Sequence, residues 1–397
     1  GFNFVTDFYS FENIESANKS FVENHSRHRM VGVFGEFNAS WKNMVYLGIT
    51  GRNDWTSTLP TENHSYFYPS VNLGFIFSEL IPKNNILSYG KVRVSYAQVG
   101  KDASPYETNT YLWSVRSQLG GINGQGNSWT RGNPYLKPER TKSYEIGLET
   151  RFFNGRLGLD ATYYSNKSYD QIISPRLGQS TGYIFCSTNA GDVRNNGVEF
   201  SISGSPIKTR DFTWEATLNM SHNRGKVQNL ISSVDILYVT DVQVGNAKAA
   251  SFNNGKFMAI SGAQWARTDD GKVILDKYGM PTWDGLTTHY IGNREPKLQG
   301  GLNNSLQYKN WNLSFLLDFR WGGAVYNGTE YLLTNYGLSN RTVNRQSLTV
   351  SGVVNTSTDA NNPVYEDKSF TFNAGESYDM GAKTKTSGSS IIQDYYG

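Results

Sequence analysis

Residues 132–166 read GNPYLKPERTKSYEIGLETRFFNGRLGLDATYYSN, and residues 189–221 read NAGDVRNNGVEFSISGSPIKTRDFTWEATLNMS. Taken two residues at a time, both segments separate into faces. Tyr144, Ile146 and Leu148 oppose Ser143, Glu145, Gly147 and Glu149. Leu157, Leu159, Ala161 and Tyr163 oppose Arg156, Asp160 and Thr162. Val198, Phe200 and Ile202 oppose Glu199, Ser201 and Ser203. Phe212, Trp214, Ala216, Leu218 and Met220 oppose Thr213, Glu215, Thr217, Asn219 and Ser221. Successive side chains of a strand point to opposite faces, so this period of two predicts β-strands.

The strands are long. Each runs about ten residues, the span a tilted strand needs to cross a bilayer, against roughly five or six in ordinary sheets. Phe153-Asn154-Gly155 closes the first pair as a tight hairpin. The next link, Asn166 to Asp192, is long. Short turns on one side and long loops on the other are the habit of outer-membrane barrels. A soluble sandwich would share the alternation but not the strand length or the one-sided loops.

The pattern continues in both directions. Gly1 to Tyr9 reads as a strand and Ser10 to His28 as polar loop. Val31, Val33, Phe37 and Ala39 alternate with polar residues, as do Val45, Leu47 and Ile49 after a short link. A loop is expected from Arg52 to Tyr68, then a strand through Val71, Leu73, Phe75 and Phe77. Val92, Val94 and Tyr96 follow, then a long Gly-rich loop from Lys101 to Leu136. Asn223 to Arg294 reads as a polar insertion. Leu302 and Leu306, then Trp311, Leu313, Phe315, Leu317 and Phe319, make the last strands, with Leu316 out of phase. From Gly322 onward Ser, Thr, Asn and Gly dominate. The sum is roughly ten strands with five long loops on one side. The apolar faces carry no charge, as a lipid-facing surface requires, since Lys or Arg there costs about 2–4 kcal/mol at the midplane.

Composition agrees. Of 397 residues, 38% are hydrophobic and 14% aromatic. Mean hydropathy is −0.51, and no run approaches the roughly 20 apolar residues of a membrane helix. A barrel stays open, because its polar inner face dilutes hydropathy. Net charge is +3, too balanced for a nucleic-acid partner. A single cysteine, Cys186, excludes an internal disulfide framework. Gly1-Phe2-Asn3-Phe4 already reads as strand, so a leader and an N-terminal part are expected outside this sequence.

GNPYLKPERTKSYEIGLE, through Asn133, Pro134, Leu136, Pro138, Glu139, Glu145 and Gly147, resembles a strand start of TonB-dependent outer-membrane receptors. NAGDVRNNGVEFSI, through Asn189, Gly191, Asn196, Gly197 and Glu199, resembles a later one. YLGITGRNDWTSTLP, YFYPSVNLGFIFSEL and PKLQGGLNNSLQYKNWNLSFLLDFRWGGAVYNGT look like the SusC/RagA family. The resemblance covers nearly the whole chain. It implies an all-β fold, a segment of a large antiparallel transmembrane β-barrel of roughly 22 strands around a plug. It implies that 1–397 are a C-terminal portion of that barrel, with plug, TonB-contacting segment and last strands outside it. It further implies an outer-membrane importer of oligosaccharides or peptides. Its partners would be a SusD-like lipoprotein lid, the TonB–ExbB–ExbD complex and outer-membrane lipid. Two rival readings are a receptor for metal chelates or a cobalamin-like cofactor, and a soluble all-β carbohydrate-binding module.

No catalytic set stands out, and no cofactor or metal is expected. His25 and His28 have metal-like spacing without further ligands, and polar loop is the better reading. Asp269, Asp270 and Asp276 around Gly271 read as a turn rather than a calcium loop. Gly120 to Gly126 reads as flexible loop, not a phosphate loop. Cys186 has no neighbouring base and reads as a small packed residue. The candidates for ligand recognition are Trp55, Trp113, Trp129, Trp265 and Trp283, with Arg52 and Asp54. Amphipathic rings beside polar groups suit sugar or peptide recognition. For any one Trp, interfacial anchoring is the competing role.

Overall fold

A computed structural model describes residues 25–82, 84–116, 123–230, 234–238, 247–284, 288–343, 347–359, 362–373, 376–379 and 384–387. Ten long strands form one antiparallel sheet in chain order. They are β1 (Met30–Trp41), β2 (Val45–Thr56), β3 (Ser65–Phe75), β4 (Leu87–Lys101), β5 (Glu139–Phe152), β6 (Leu157–Tyr169), β7 (Asp192–Lys208), β8 (Phe212–Gln228), β9 (Leu298–Tyr308) and β10 (Trp311–Trp321). Each pairs with its sequence neighbour, as an up-and-down barrel wall requires.

The register turns the local alternation into two continuous surfaces. One cross-strand row runs Trp41, Val45, Phe75, Val92, Leu148, Ala161, Phe200, Met220, Gly300, Phe319. It holds no polar side chain in any of the ten strands. The adjacent row on the other face runs Tyr46, Gly74, Arg93, Gly147, Thr162, Glu199, Ser221, Gln299, Arg320. The apolar row begins at the turn end of β1 and finishes near the loop end of β10. That climb is the stagger of a tilted barrel wall. Outward residues such as Ile146, Leu313, Phe315 and Leu317 are exposed, as side chains meant for hydrocarbon are.

One outward polar group is answered locally. Asn304 faces lipid but is buried, and its amide oxygen accepts the Trp214 indole N–H at 3.2 Å. Its amide nitrogen donates to the Leu302 carbonyl at 3.4 Å.

The links differ from the expectation in detail. β2 extends to Thr56 and β3 begins at Ser65, so Arg52, Asp54 and Trp55 belong to a strand, not a loop. The ladder persists because Trp55 still pairs with Ser65 and Asp54 with Tyr66. Among the described residues the long links between wall strands are 102–138, 170–191 and 229–297; the loop expected from Arg52 to Tyr68 shortens to 57–64, and most of the one expected over Ser10 to His28 lies outside the described residues. On the other side the turns are 42–44, 76–86, 153–156, 209–211 and 309–310.

The long links are folded. Leu112–Arg116 pairs with Asn123–Asn127, so the described part of Gly120 to Gly126 is strand rather than flexible loop. Within 229–297, Ile236–Tyr238, Lys248–Phe252, Ala259–Gly262 and His289–Gly292 form a four-stranded sheet. Beyond β10, the stretch dominated by Ser, Thr, Asn and Gly contains helix α1 (Gly328–Asn335) and a hairpin of Leu348–Asn355 with Tyr365–Phe372. That hairpin buries Val350, Val354 and Phe372 against Leu275 and Met280 of the insertion. The strand expected over Gly1 to Tyr9 lies outside the described residues.

Candidate functional site

The inner wall and the mouth hold the polar chemistry. On the wall, the Arg93 guanidinium lies 2.8 Å from Asp160 and 3.8 Å from Glu149. It donates to Thr162 at 3.3 Å. Arg151 meets Glu149 at 3.1 Å. Gly147 leaves room for this hub, because a Cβ there would sit 2.9 Å from the Arg93 guanidinium. Further round, a concave recess of about 740 Å³ is lined by Asp160, Glu199, Asn219, Asp318 and Arg320 among others.

At the mouth, Arg52 and Asp54 share the inner face of β2 and pair at 2.8 Å. The Tyr68 hydroxyl donates to the second Asp54 oxygen. Tyr66 stacks on Tyr68 with centroids 5.9 Å apart. Gly32 of β1 leaves room for that ion pair, since a Cβ there would run into the Asp54 carboxylate and the Arg52 guanidinium. Asp54 is 3% exposed, so it is held by its partners before any ligand arrives. Trp55 faces the opposite way. It stands opposite Val31 on the outward surface, where an aromatic ring serves the membrane interface. The structure therefore separates Trp55 from Arg52 and Asp54.

A second hub ties the mouth together. Asp102 accepts from Thr56 at 2.5 Å, Thr58 at 2.8 Å and His28 at 2.8 Å. Burial works to raise its pKa, but the hydrogen bonds from Thr56, Thr58 and His28 prevail and hold it below the ordinary carboxylate value. Glu107, in the same link, is pushed up, chiefly by burial. No local pattern in the sequence marks Asp102, because its partners are far away in the chain.

The residues of the 132–139 and 189–199 motifs turn out to build the platform under the loops. Leu136 is fully buried with Leu59, Tyr66 and Ala103. Its carbonyl accepts from the Asn63 amide at 3.1 Å. Asn133 caps its own turn by accepting from the Tyr135 N–H at 2.9 Å. Asn189 accepts from the Lys137 N–H and donates to the Lys137 and Asp170 carbonyls, each at 2.8 Å. Glu139 accepts from the Ile172 N–H at 3.0 Å. These contacts fasten two long links to each other.

The insertion is anchored likewise. Val227 donates to the Gly255 carbonyl, and Glu295 accepts from the Gly225 N–H at 3.1 Å. Within it, Trp265 and Trp283 stand opposite each other. The flanking bonds Ala266 N–H to Thr282 and Asp284 N–H to Gln264 mark a non-hydrogen-bonded pair. In such pairs the Cα atoms approach to about 4.5 Å and the side chains share a face. Trp283 is 46% exposed, and Asp284 behind it pairs with His289 at 2.8 Å. Trp129 is exposed next to the short strand Thr130–Arg131, and Trp113 pairs in register with Gly126. Of the seven sequence candidates, the structure brings together Arg52 with Asp54, and Trp265 with Trp283. Among the described residues, no group of three or more His, Cys, Asp or Glu could hold a metal.

Residues 1–295 match the family described as TonB dependent receptor-like, beta-barrel. A TonB-dependent receptor of Formosa agariphila is 29% identical over 347 residues, covering 82% of this chain and 35% of that protein. The TonB-dependent receptor SusC of Bacteroides thetaiotaomicron is 28% identical over 366 residues, with the same 82% and 35%. Among solved structures, the RagAB peptide transporter superposes with a TM-score of 0.67 at 21% identity, over 83% of this chain and 38% of that one. The chain thus spans a little over a third of the length of the proteins it matches.

Proposed function

Because the chain belongs to the TonB dependent receptor-like β-barrel family, an outer-membrane family, we propose that it is a C-terminal wall segment of a TonB-driven importer of oligosaccharides or peptides. The observation that carries this reading is the pairing of an outward apolar row, continuous across all ten strands, with a charged, concave inner surface beneath packed loops. Such a wall separates lipid from an aqueous path. The whole protein would supply the plug and the TonB-contacting segment. A SusD-like lipoprotein would close the mouth from outside, and the TonB–ExbB–ExbD complex would provide the force.

In this reading no covalent step occurs. Arg52, exposed and held in place by the buried Asp54 that Tyr68 also meets, offers a preorganised guanidinium at the rim. Trp265 and Trp283 offer a flat apolar platform at the insertion. Sugar rings and peptide side chains both use such combinations. The unbroken apolar row argues against a soluble carbohydrate-binding module.

The test uses the full-length receptor with its lid lipoprotein. Asp54→Ala and Trp283→Ala together should weaken oligosaccharide or peptide binding by about tenfold, the size of one lost charged hydrogen bond or stacked ring. Calorimetry with unchanged affinity would remove the site. A preference for ferric chelates in the same titration would overturn the ligand class while keeping the importer.

A further inference from the structure

The outward face near the long-loop end carries an arrangement that strand pairing alone disfavours. Lys142 of β5 stands opposite Lys167 of β6, Lys167 opposite Arg194 of β7, and Arg194 opposite Lys226 of β8. Four cations therefore occupy one cross-strand row. They share parity with Ile146, Tyr163, Val198 and Met220, so they lie on the lipid side. At about 4.8 Å between strands, the row spans about 14 Å. Like charges directly opposite one another destabilise a sheet.

Little in the chain offsets this. Asp192 reaches Lys167 at 3.4 Å, and it also accepts from Asn229. Lys142 and Lys167 lie over the Tyr169 ring at 5.5 and 4.4 Å. Arg194 donates only to the neutral Asn196 and Ser165. Among the described residues no carboxylate lies within ion-pair distance of Lys142, Arg194 or Lys226.

The height of the row identifies what meets it. Lys142 is ten residues along β5 from Phe152 at the turn end. That is about 33 Å along the strand and about 25 Å along the membrane normal at barrel tilt, the height of the apolar band. Below the row, Tyr96 packs on Tyr144 at 5.0 Å, and Tyr163 is exposed, which marks the aromatic girdle. The row then climbs with the tilt toward Lys226, through the headgroup layer.

We propose that this row binds the phosphate groups of a phosphorylated glycolipid in the outer leaflet, of the lipopolysaccharide class. Closely spaced Lys and Arg match phosphate oxygens by charge-assisted hydrogen bonds. The lipid's acyl chains continue down the apolar surface below the tyrosines. The site lies outside the import path and does not depend on the transported ligand.

The test takes the full-length receptor, stripped of lipid in detergent, and mixes it with lipopolysaccharide, with enzymatically dephosphorylated lipopolysaccharide, or with inorganic phosphate. Native mass spectrometry counts bound glycolipid. The wild type is expected to retain the phosphorylated form. Each Lys→Gln or Arg→Gln change in the row should lower retention about fivefold, and Lys142→Arg should restore it. Equal retention by K142Q, K167Q, R194Q and K226Q overturns the proposal. So does equal binding of the dephosphorylated lipid, or displacement of the glycolipid by inorganic phosphate alone.

Discussion

At the scale of the residue, Asp102 shows how one carboxylate organises a mouth. It gathers Thr56, Thr58 and His28 from two other stretches of chain. Its folded pKa lies below the unfolded one, so its contribution is complete above the ordinary carboxylate value of about 3.9 and is lost as pH falls through the lower folded value. Asp102→Asn should loosen the 57–64 link by about 2 kcal/mol, the worth of hydrogen bonds to a charged acceptor. Hydrogen exchange of the Ser57 amide, which donates to the Arg29 carbonyl, reads this directly. The variant should exchange faster at pH 7, and the wild type should match it only in acid. The hub was illegible in the sequence because Asp102 sits 46 residues from Thr56 in the chain. Trp55 misled for a different reason. A polar run, GRNDW, reads as a loop, yet its even members face inward and its tryptophan faces out.

At the scale of the element, the wall was legible and the loops were not. Period-two alternation needs no tertiary knowledge, so Tyr144 to Leu148 and Val198 to Ile202 fall on the faces expected of them. Loop structure depends on contacts between distant segments, such as Leu275 with Val350 and Phe372, which no local pattern announces. The motif residues Leu136 and Asn189 were legible as resemblance, while their structural work became visible only with their partners in place. The outward face also makes a strong prediction. Phe315 lies mid-strand in β10, opposite Asn304. Phe315→Arg should cost about 2–4 kcal/mol of folding free energy in bilayers. Leu316→Arg, one residue on and facing inward, should cost far less. Urea-dependent folding of the full-length protein into vesicles would compare them, and equal costs would contradict the assignment of faces.

At the scale of the whole molecule, β1 and β10 are the edges of the ten-stranded sheet. An open edge in hydrocarbon leaves backbone groups unsatisfied at several kcal/mol each. The rest of the receptor is therefore expected to pair with both. In the intact protein in bilayers, the outer-edge amides of Phe34 and Leu316 should resist exchange as strongly as that of Phe200 at the centre of the sheet. Rapid exchange at either edge would contradict a closed barrel.

The insertion between β8 and β9 is stapled to the wall at both of its roots, by Val227 on Gly255 and by Glu295 on Gly225. A flap needs a free hinge, and this segment has neither end loose. It can serve as a fixed parapet. In the importer proposed above, any part that swings to admit cargo would be a different body, with this rim as the sill against which it shuts.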